Sequence, residues 1–249
     1  SYNQSVRYCH KSKKGVYCMI NIIACDDDAD IVKALKIYLS AEGYNVIEAY
    51  NGREVLDILA KQEIHLVLMD VMMPEMDGIE ATAELRKKYN VPVILITSKG
   101  EYYDKVLGLN VGADDYITKP FNPVEVIARA KSQLRRYLQL SGGFTPAENS
   151  LRNGGIVLND NAKKVTLDGE EINITPTEYS ILKLFLENVG AVLSPREIYR
   201  KVWSDDAYGT EGTVLVHIRH LREKIEIDPA NPRYIVAVYC HGYKMERRN

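Results

Sequence analysis

The run Ile64-His65-Leu66-Val67-Leu68-Met69-Asp70-Val71-Met72-Met73-Pro74 decides the fold. It is apolar on both faces, stops on a single carboxylate and is closed by proline, so it reads as a buried strand with a polar end. The same grammar recurs around it. Ile20–Cys25, Val46–Ala49, Val91–Thr97 and Tyr116–Thr118 are further apolar runs. Asp30–Gly43, Gly52–Lys61, Gly78–Tyr89, Tyr102–Gly112 and Pro123–Leu140 lie after successive strands and carry helical spacing. Five strand–helix repeats predict a doubly wound five-stranded parallel sheet covered by helices.

Ligands of such sheets sit at the carboxyl ends of the strands. The first strand ends in Asp26-Asp27-Asp28, the third in Asp70, the fourth in Thr97-Ser98, and the fifth runs into Lys119-Pro120. Taken singly, an acid after a strand, a helix-capping threonine and a loop lysine are ordinary. Together they predict one polar edge. Carboxylates crowded there repel unless a hard cation lies between them, and oxygen ligands suit Mg²⁺ or Mn²⁺. A hydroxyl and a lysine beside such a carboxylate make a phosphoryl site.

The chain has 249 residues, 46% hydrophobic and 27% charged. Ordinary globular composition excludes disordered and disulfide-scaffold classes, and the length suggests two domains of roughly 100–200 residues each. No apolar run approaches the roughly 20 residues of a membrane span, and no signal-peptide core opens the chain. Cys9, Cys18, Cys25 and Cys240 show no metal spacing and read as reduced thiols of a cytoplasmic protein. Residues 19–140 hold 14 basic and 19 acidic residues, and residues 141–249 hold 14 and 15, so charge alone does not argue for nucleic acid. Residues 1–18 carry four basic residues and no acid, and are expected to be a leader of vector or mis-assigned origin, with a native basic arm as the alternative.

Residues 141–154 read as a linker, and residues 155–249 as a second domain. Gly155–Leu158, Lys164–Leu167 and Glu171–Ile174 are short strand candidates. Thr175-Pro176-Thr177-Glu178 and Ser194-Pro195-Arg196-Glu197 are capping boxes with proline at the first helical position. A third helix runs from about Thr213 to Ile227, and a hairpin at Tyr234–Met245 turns near His241-Gly242. That order predicts an α+β winged helix with its third helix as groove reader.

Asp26-Asp27, the Leu68–Pro74 run with Asp77-Gly78, Thr97 and Tyr116-Ile117-Thr118-Lys119-Pro120-Phe121 resemble the receiver domain of bacterial response regulators, over residues 19–140. The resemblance implies that Asp70 accepts a phosphoryl group from a sensor histidine kinase. It implies Mg²⁺ on Asp27, Asp70 and the Met72 carbonyl, with Asp26 holding a bound water. Lys119 and Thr97 would contact phosphoryl oxygens, and Tyr116 would rotate as Thr97 turns. Apolar Met72, and Lys99 two after Thr97, flank the route of a hydrolytic water, so autodephosphorylation is expected to be slow; a half-life of seconds would refute this.

Pro176-Thr177-Glu178, Trp203 and the His217–Lys224 run look like the winged-helix effector domain of the OmpR/PhoB family. Within that family the strongest likeness is to the VanR-type regulators, through Ile117–Phe121, Gln133–Tyr137 and His217–Lys224. The resemblance implies a homodimer formed on phosphorylation through the fourth helix, fifth strand and fifth helix, with Lys105–Glu125, Asp114–Arg129 and Asp115–Arg136 paired across the two-fold axis. The alternative is intramolecular surface pairing of the same residues. On the effector side Arg219 and Arg222 are the leading DNA contacts, followed by Thr213, His217 and His220, with Lys244 from the wing. Partners would be promoter DNA with repeated or paired sites, and RNA polymerase at Ser204–Gly212. Gly212, His220 and Tyr239-Cys240 stand where many members carry arginine or an arginine–glycine pair, so few phosphate contacts and a shallow salt slope are expected.

The function expected is therefore that of a phosphorylation-switched transcription regulator. It is not expected to be an enzyme, because Met72 replaces the second aspartate of aspartyl-phosphate phosphatases. The alternative is a phosphorylation-independent DNA-binding protein whose receiver only dimerises.

Overall fold

The computed structural model describes residues 9–12, 15–98, 111–141, 150–203 and 211–248. An antiparallel hairpin of β1 (Cys9–Ser12) and β2 (Gly15–Cys18) comes first. It falls within the segment read as a leader, whose other residues lie outside those described.

The first domain carries β3 (Asn21–Cys25), β4 (Asn45–Ala49), β5 (Leu66–Asp70), β6 (Val93–Ser98) and β7 (Asp115–Lys119). They form one parallel sheet in the order β4-β3-β5-β6-β7. The central strand β5 is buried along its whole length, as its unbroken apolar run demands. Successive residues serve opposite faces. Ile22 and Ala24 pack with Val32, Leu35 and Leu39 of α1 (Ala29–Ala41), while Ile23 and Cys25 pack with Val55 and Leu59 of α2 (Gly52–Lys61). Side-chain caps start these helices and α3 (Gly78–Arg86): Asp28, Asn51 and Asp77 each accept a backbone N–H of the first turn. The chain then passes a cis Lys119–Pro120 bond into α4 (Pro123–Ser141). The helix expected at Tyr102–Gly112 lies outside the described residues apart from 111–112, which form a turn.

The second domain begins earlier than the composition suggested. Ser150–Asn153 is a strand, β8, within the segment read as linker. It pairs with β9 (Ile156–Asn159), setting Leu151 opposite Leu158 over the core. Asn153-Gly154-Gly155 is thus a tight turn, with Gly154 at φ 57°, and the glycines that looked like linker composition serve the reversal. β10 (Lys164–Leu167) and β11 (Glu170–Glu171) complete a four-stranded antiparallel sheet.

Three helices follow: α5 (Pro176–Glu187), α6 (Pro195–Trp203) and α7 (Glu211–Ile225). Both expected capping boxes are present. Thr175 and Glu178 exchange backbone bonds at the head of α5, and Ser194 and Glu197 do so at α6. β12 (Val192–Leu193), β13 (Ile235–Val238) and β14 (Gly242–Met245) form the wing sheet in the order β12-β14-β13. Phe185, Trp203, Ile218 and Ile235 lie in its single core. Among the described residues no helix is long and apolar enough to cross a membrane.

Candidate functional site

The sheet brings the expected polar ends together. Asp26, Asp70 and Thr97 are all buried, at 0%, 4% and 2% exposure. Lys119 reaches across them, with Nζ 2.7 Å from Asp26 Oδ2 and 2.6 Å from Asp70 Oδ1. The other Asp70 oxygen, Oδ2, accepts the Met72 N–H at 2.7 Å. Asp26 Oδ1 accepts the Asp28 N–H at 3.0 Å. Burial lifts the Asp70 pKa above the usual carboxylate range, against the pull of Lys119 and the Met72 N–H, and repulsion from Asp26 adds to the lift. For Lys119 burial works to lower the pKa, but its two carboxylates outweigh it and hold the ammonium charged. Thr97 Oγ1 is buried with no hydrogen-bond partner among the described residues, a donor left without an acceptor beside this pair. Asp27 is exposed, as is Met72 at 64%, and Tyr116 is half-buried against the core of the sheet. Gly78 holds the loop after Asp70 close, since a Cβ there would collide with the Asp70 carbonyl oxygen.

Among the described residues no three His, Cys, Asp or Glu side chains converge into a metal cluster. The possible ligands on this edge are oxygens, with the Asp26 and Asp70 carboxylates bridged by Lys119, and oxygen is the donor chemistry of a hard divalent cation. Cys25 is an unsuitable ligand. Burial, then Glu54 and Asp26, push its thiol well above the ordinary range, and its Sγ contacts Met73 Sδ at 3.4 Å and the Asn51 carbonyl at 3.5 Å.

Of the residues expected to pair across a dimer axis, Asp114, Asp115, Glu125, Arg129 and Arg136 are engaged within the chain. Asp114 is fully buried: Oδ2 accepts from Arg86 Nη2 at 2.7 Å and from the Val93 N–H at 3.0 Å, and Oδ1 accepts from Thr177 Oγ1 of the second domain at 2.8 Å. Asp115 takes Arg129 Nη1 at 2.9 Å, and Glu125 takes Arg129 Nε at 3.0 Å. Burial works to lower the Arg129 pKa, but Asp115 outweighs it and the net shift is upward. Arg129 also donates to Tyr199 Oη at 3.2 Å across the junction. Arg136 donates to the Val202 carbonyl at 2.8 Å and lies 5.3 Å from the Trp203 ring centroid, and Ser132 donates to the Trp203 carbonyl at 2.7 Å. Lys105 and Lys99 lie outside the described residues, as do residues 204–210 of the segment read as the RNA polymerase loop.

Helix α7 buries Val214, Ile218, Leu221 and Ile225 in its own core, as its spacing predicted. A second face turns to the first domain. Val216 packs on the core cluster that holds Ala113, and His217, 1% exposed, sets Nε2 3.2 Å from the Asp114 carbonyl. A carbonyl accepts, so this ring carries its proton on Nε2, and burial pushes its pKa down against the opposing pull of Asp114 and Glu178. Thr213 and His220 are also buried. Of the expected DNA contacts only Arg219 is exposed, paired with Glu223 at 3.0 Å. Arg222 is half-buried, donating to the Ile235 carbonyl, and Lys244 pairs with Glu246. The wing tip carries Tyr239, 91% exposed, and Cys240 at φ 59°.

Arg86, Thr177, Tyr199 and the Trp203 carbonyl are residues to which the sequence gave no role at the junction. Thr177 had already been explained as part of a cap, though its hydroxyl is free for Asp114 because Thr175 does the capping.

Comparison with known proteins agrees with both halves. Residues 22–131 match the response regulator receiver domain, and residues 169–245 match the C-terminal domain of transcriptional regulatory proteins. Regulatory protein VanR of Enterococcus faecium is 41% identical over 227 residues, covering 91% of this chain and 98% of that protein. Regulatory protein VanRc of Enterococcus gallinarum is 37% identical over the same coverage. Among solved structures a cysteine-substituted mutant of RitR aligns with a TM-score of 0.70 at 19% identity, over 92% of this chain and 99% of that one, a likeness of fold.

Proposed function

Because the chain belongs to the OmpR/PhoB family of two-component response regulators, acting on transcription, we propose that Asp70 is its phosphoacceptor and that phosphorylation releases the second domain from the first. The observation that carries this reading is Lys119 bridging Asp26 and Asp70 at the carboxyl edge of the sheet. The Asp70 oxygen attacks phosphorus, a carboxylate O–P bond forms, and the N–P bond of the kinase phosphohistidine breaks with its electron pair returning to the imidazole. Lys119 is already charged and in place to meet the phosphoryl oxygens, and the unpartnered Thr97 hydroxyl is the donor that a phosphoryl oxygen would satisfy. Asp27, Asp70 and the Met72 carbonyl would hold Mg²⁺, with Asp26 acting through water. When bound there, the ion would supply positive charge against the phosphoryl oxygens.

The output follows from the junction. While the domains are docked, Asp114, Asp115, Arg129 and Arg136 are occupied within the chain and His217 is covered. A homodimer through that face and DNA reading by α7 both require the docking to break. Thr97 and Tyr116 lie on β6 and β7, the strands that lead from the phosphoryl site to Asp114 and Asp115. The test is the intact mass after incubation with acetyl phosphate and Mg²⁺. One added phosphoryl group in the wild type, absent in Asp70→Ala and without Mg²⁺, is expected. An adduct that survives in Asp70→Ala would refute the assignment.

A further inference from the structure

The junction holds a second feature, remote from the acidic site: a cavity of about 260 Å³ between α4 of the receiver and α5 and α6 of the effector domain. Five cationic side chains line it, Arg135 and Arg136 from α4, Lys163 before β10, Lys183 from α5 and Lys201 from α6. Among the described residues two carboxylates face them, Asp160 and Glu187. Asp160 is committed, accepting from Lys163 at 2.7 Å, Lys183 at 2.8 Å and Tyr179 at 2.8 Å. Glu187 lies 3.8 Å from Lys183. The lining therefore carries a surplus of positive charge contributed by both domains.

Arg136 has the strongest need of an anion among them. It is 4% exposed, and its Nη1 donates to Ser132 Oγ and the Val202 carbonyl. Its Nε and Nη2 are buried with no acceptor among the described residues, and no carboxylate among them pairs with it. Burial lowers its pKa to about 10, against the distant pull of Asp115 and Asp114. Buried guanidinium groups are ordinarily paired, because an uncompensated charge in a low-dielectric junction is strongly unfavourable. Here the compensating charge is missing from the described residues, and the space beside it is a cation-lined cavity. Guanidinium and ammonium groups around a confined volume are the chemistry that recognises phosphate oxygens.

We propose that this cavity binds a small oligophosphate anion, bridging Arg135 and Arg136 of the receiver to Lys183 and Lys201 of the effector domain. The cations come from both domains, so the anion binds the docked arrangement better than a separated one and opposes release. That second consequence rests on the proposed switch, whereas the binding itself does not.

The test is calorimetric titration of the full chain with sodium tripolyphosphate at low salt, followed in parallel by fluorescence of Trp203, the single tryptophan, which Arg136 overlies. One anion per chain is expected, weakened by about tenfold or more in Lys201→Glu, a charge reversal at an exposed position, and in Arg136→Gln. Arg219→Gln, on the exposed face of α7, is expected to bind as the wild type does. Titration with ATP separates the sources. Equal Lys201-dependent binding assigns the phosphate tail of a nucleotide, and binding of tripolyphosphate alone assigns the free anion. Absence of binding, binding indifferent to Lys201→Glu, or binding lost in Arg219→Gln instead would overturn the proposal.

Discussion

Thr177→Val tests the docking at its most buried polar contact. The hydroxyl donates to Asp114 Oδ1 at 2.8 Å, and both residues are fully buried. Valine keeps the shape and removes the donor, leaving Oδ1 dry and unsatisfied when docked but hydrated once the domains part. A hydrogen bond to a charged group is worth about 1.5–3 kcal/mol. At about 1.4 kcal/mol per tenfold, the docked-to-open ratio should fall by about 10–100-fold. Neither domain should suffer, because Thr175 and Glu178 cap α5 and Asp114 keeps Arg86 and the Val93 N–H. While the docked form predominates, apparent DNA affinity scales with the open fraction. Fluorescence anisotropy on a duplex bound by the phosphorylated wild type should therefore show the unphosphorylated variant gaining about tenfold or more, with the phosphorylated protein unchanged. Equal affinities of unphosphorylated variant and wild type would refute the claim that this contact restrains DNA binding.

Three further outcomes are expected. Gly78→Ala pushes a Cβ into the Asp70 carbonyl and should lower stability by about 1–3 kcal/mol in a denaturant titration, with slower phosphoryl uptake; unchanged uptake would mean that the loop is not held to the acceptor. The phosphorylated chain should lose its group slowly, since Met72 offers a hydrolytic water no polar partner, and a decay within seconds, read by intact mass, would refute that role. His217 stays neutral while docked because burial depresses its pKa, with His220 adding and with Asp114 and Glu178 opposing. Above its ordinary pKa of about 6.5 both forms are neutral and docking is at full strength; below it the open form takes up a proton that the docked form refuses, so docking weakens as pH falls. Acrylamide quenching of Trp203 should rise between about pH 7.5 and 5.5, and His217→Gln should flatten the rise. A rise that persists in the variant would move the effect elsewhere.

The acidic edge was legible because strand-end bookkeeping is local: an apolar run stopping on Asp70, Thr97 or Lys119 already says which edge of the sheet each side chain joins. The junction was not legible, for a physical reason. Asp114 and Asp115 stand at the start of β7 and Arg129 and Arg136 on α4, and their sequence spacing fits a dimer axis as well as an intrachain partner. Asp114 and Asp115 take Arg86 and Arg129 of their own domain, and the remaining partners, Thr177, Tyr199 and the Val202 carbonyl, are supplied from 63 to 70 residues away. Backbone carbonyls leave no mark in a sequence. His217 posed the same difficulty. A polar residue off the apolar stripe of α7 was read as free to meet DNA, and in the docked chain it is buried with its Nε2 on the Asp114 carbonyl of the other domain. β8 was missed because Gly154-Gly155 resembles linker composition and only the pairing of Leu151 with Leu158 reveals a turn.

Under the proposed switch, the charges at the junction explain how one phosphoryl group would release it. Asp114 and Asp115 are each fully used, by Arg86 with Thr177 and by Arg129 with the Tyr199 hydroxyl alongside. That leaves Arg136 buried with backbone and hydroxyl acceptors only, a configuration that costs desolvation without a compensating carboxylate. Docking thus combines well-made contacts at one end with an unpaired charge at the other, and the second offsets part of the first. Parting the domains returns Arg136 to water or to a carboxylate of a second copy and returns His217 to solvent. A modest shift of β6 and β7, such as a turn of Thr97 toward a phosphoryl oxygen would bring, then needs to weaken only the Asp114 end to tip the balance. An oligophosphate beside Arg136 would act in the opposite sense, supplying the charge the docked form lacks, so the same guanidinium becomes the point at which release and retention compete.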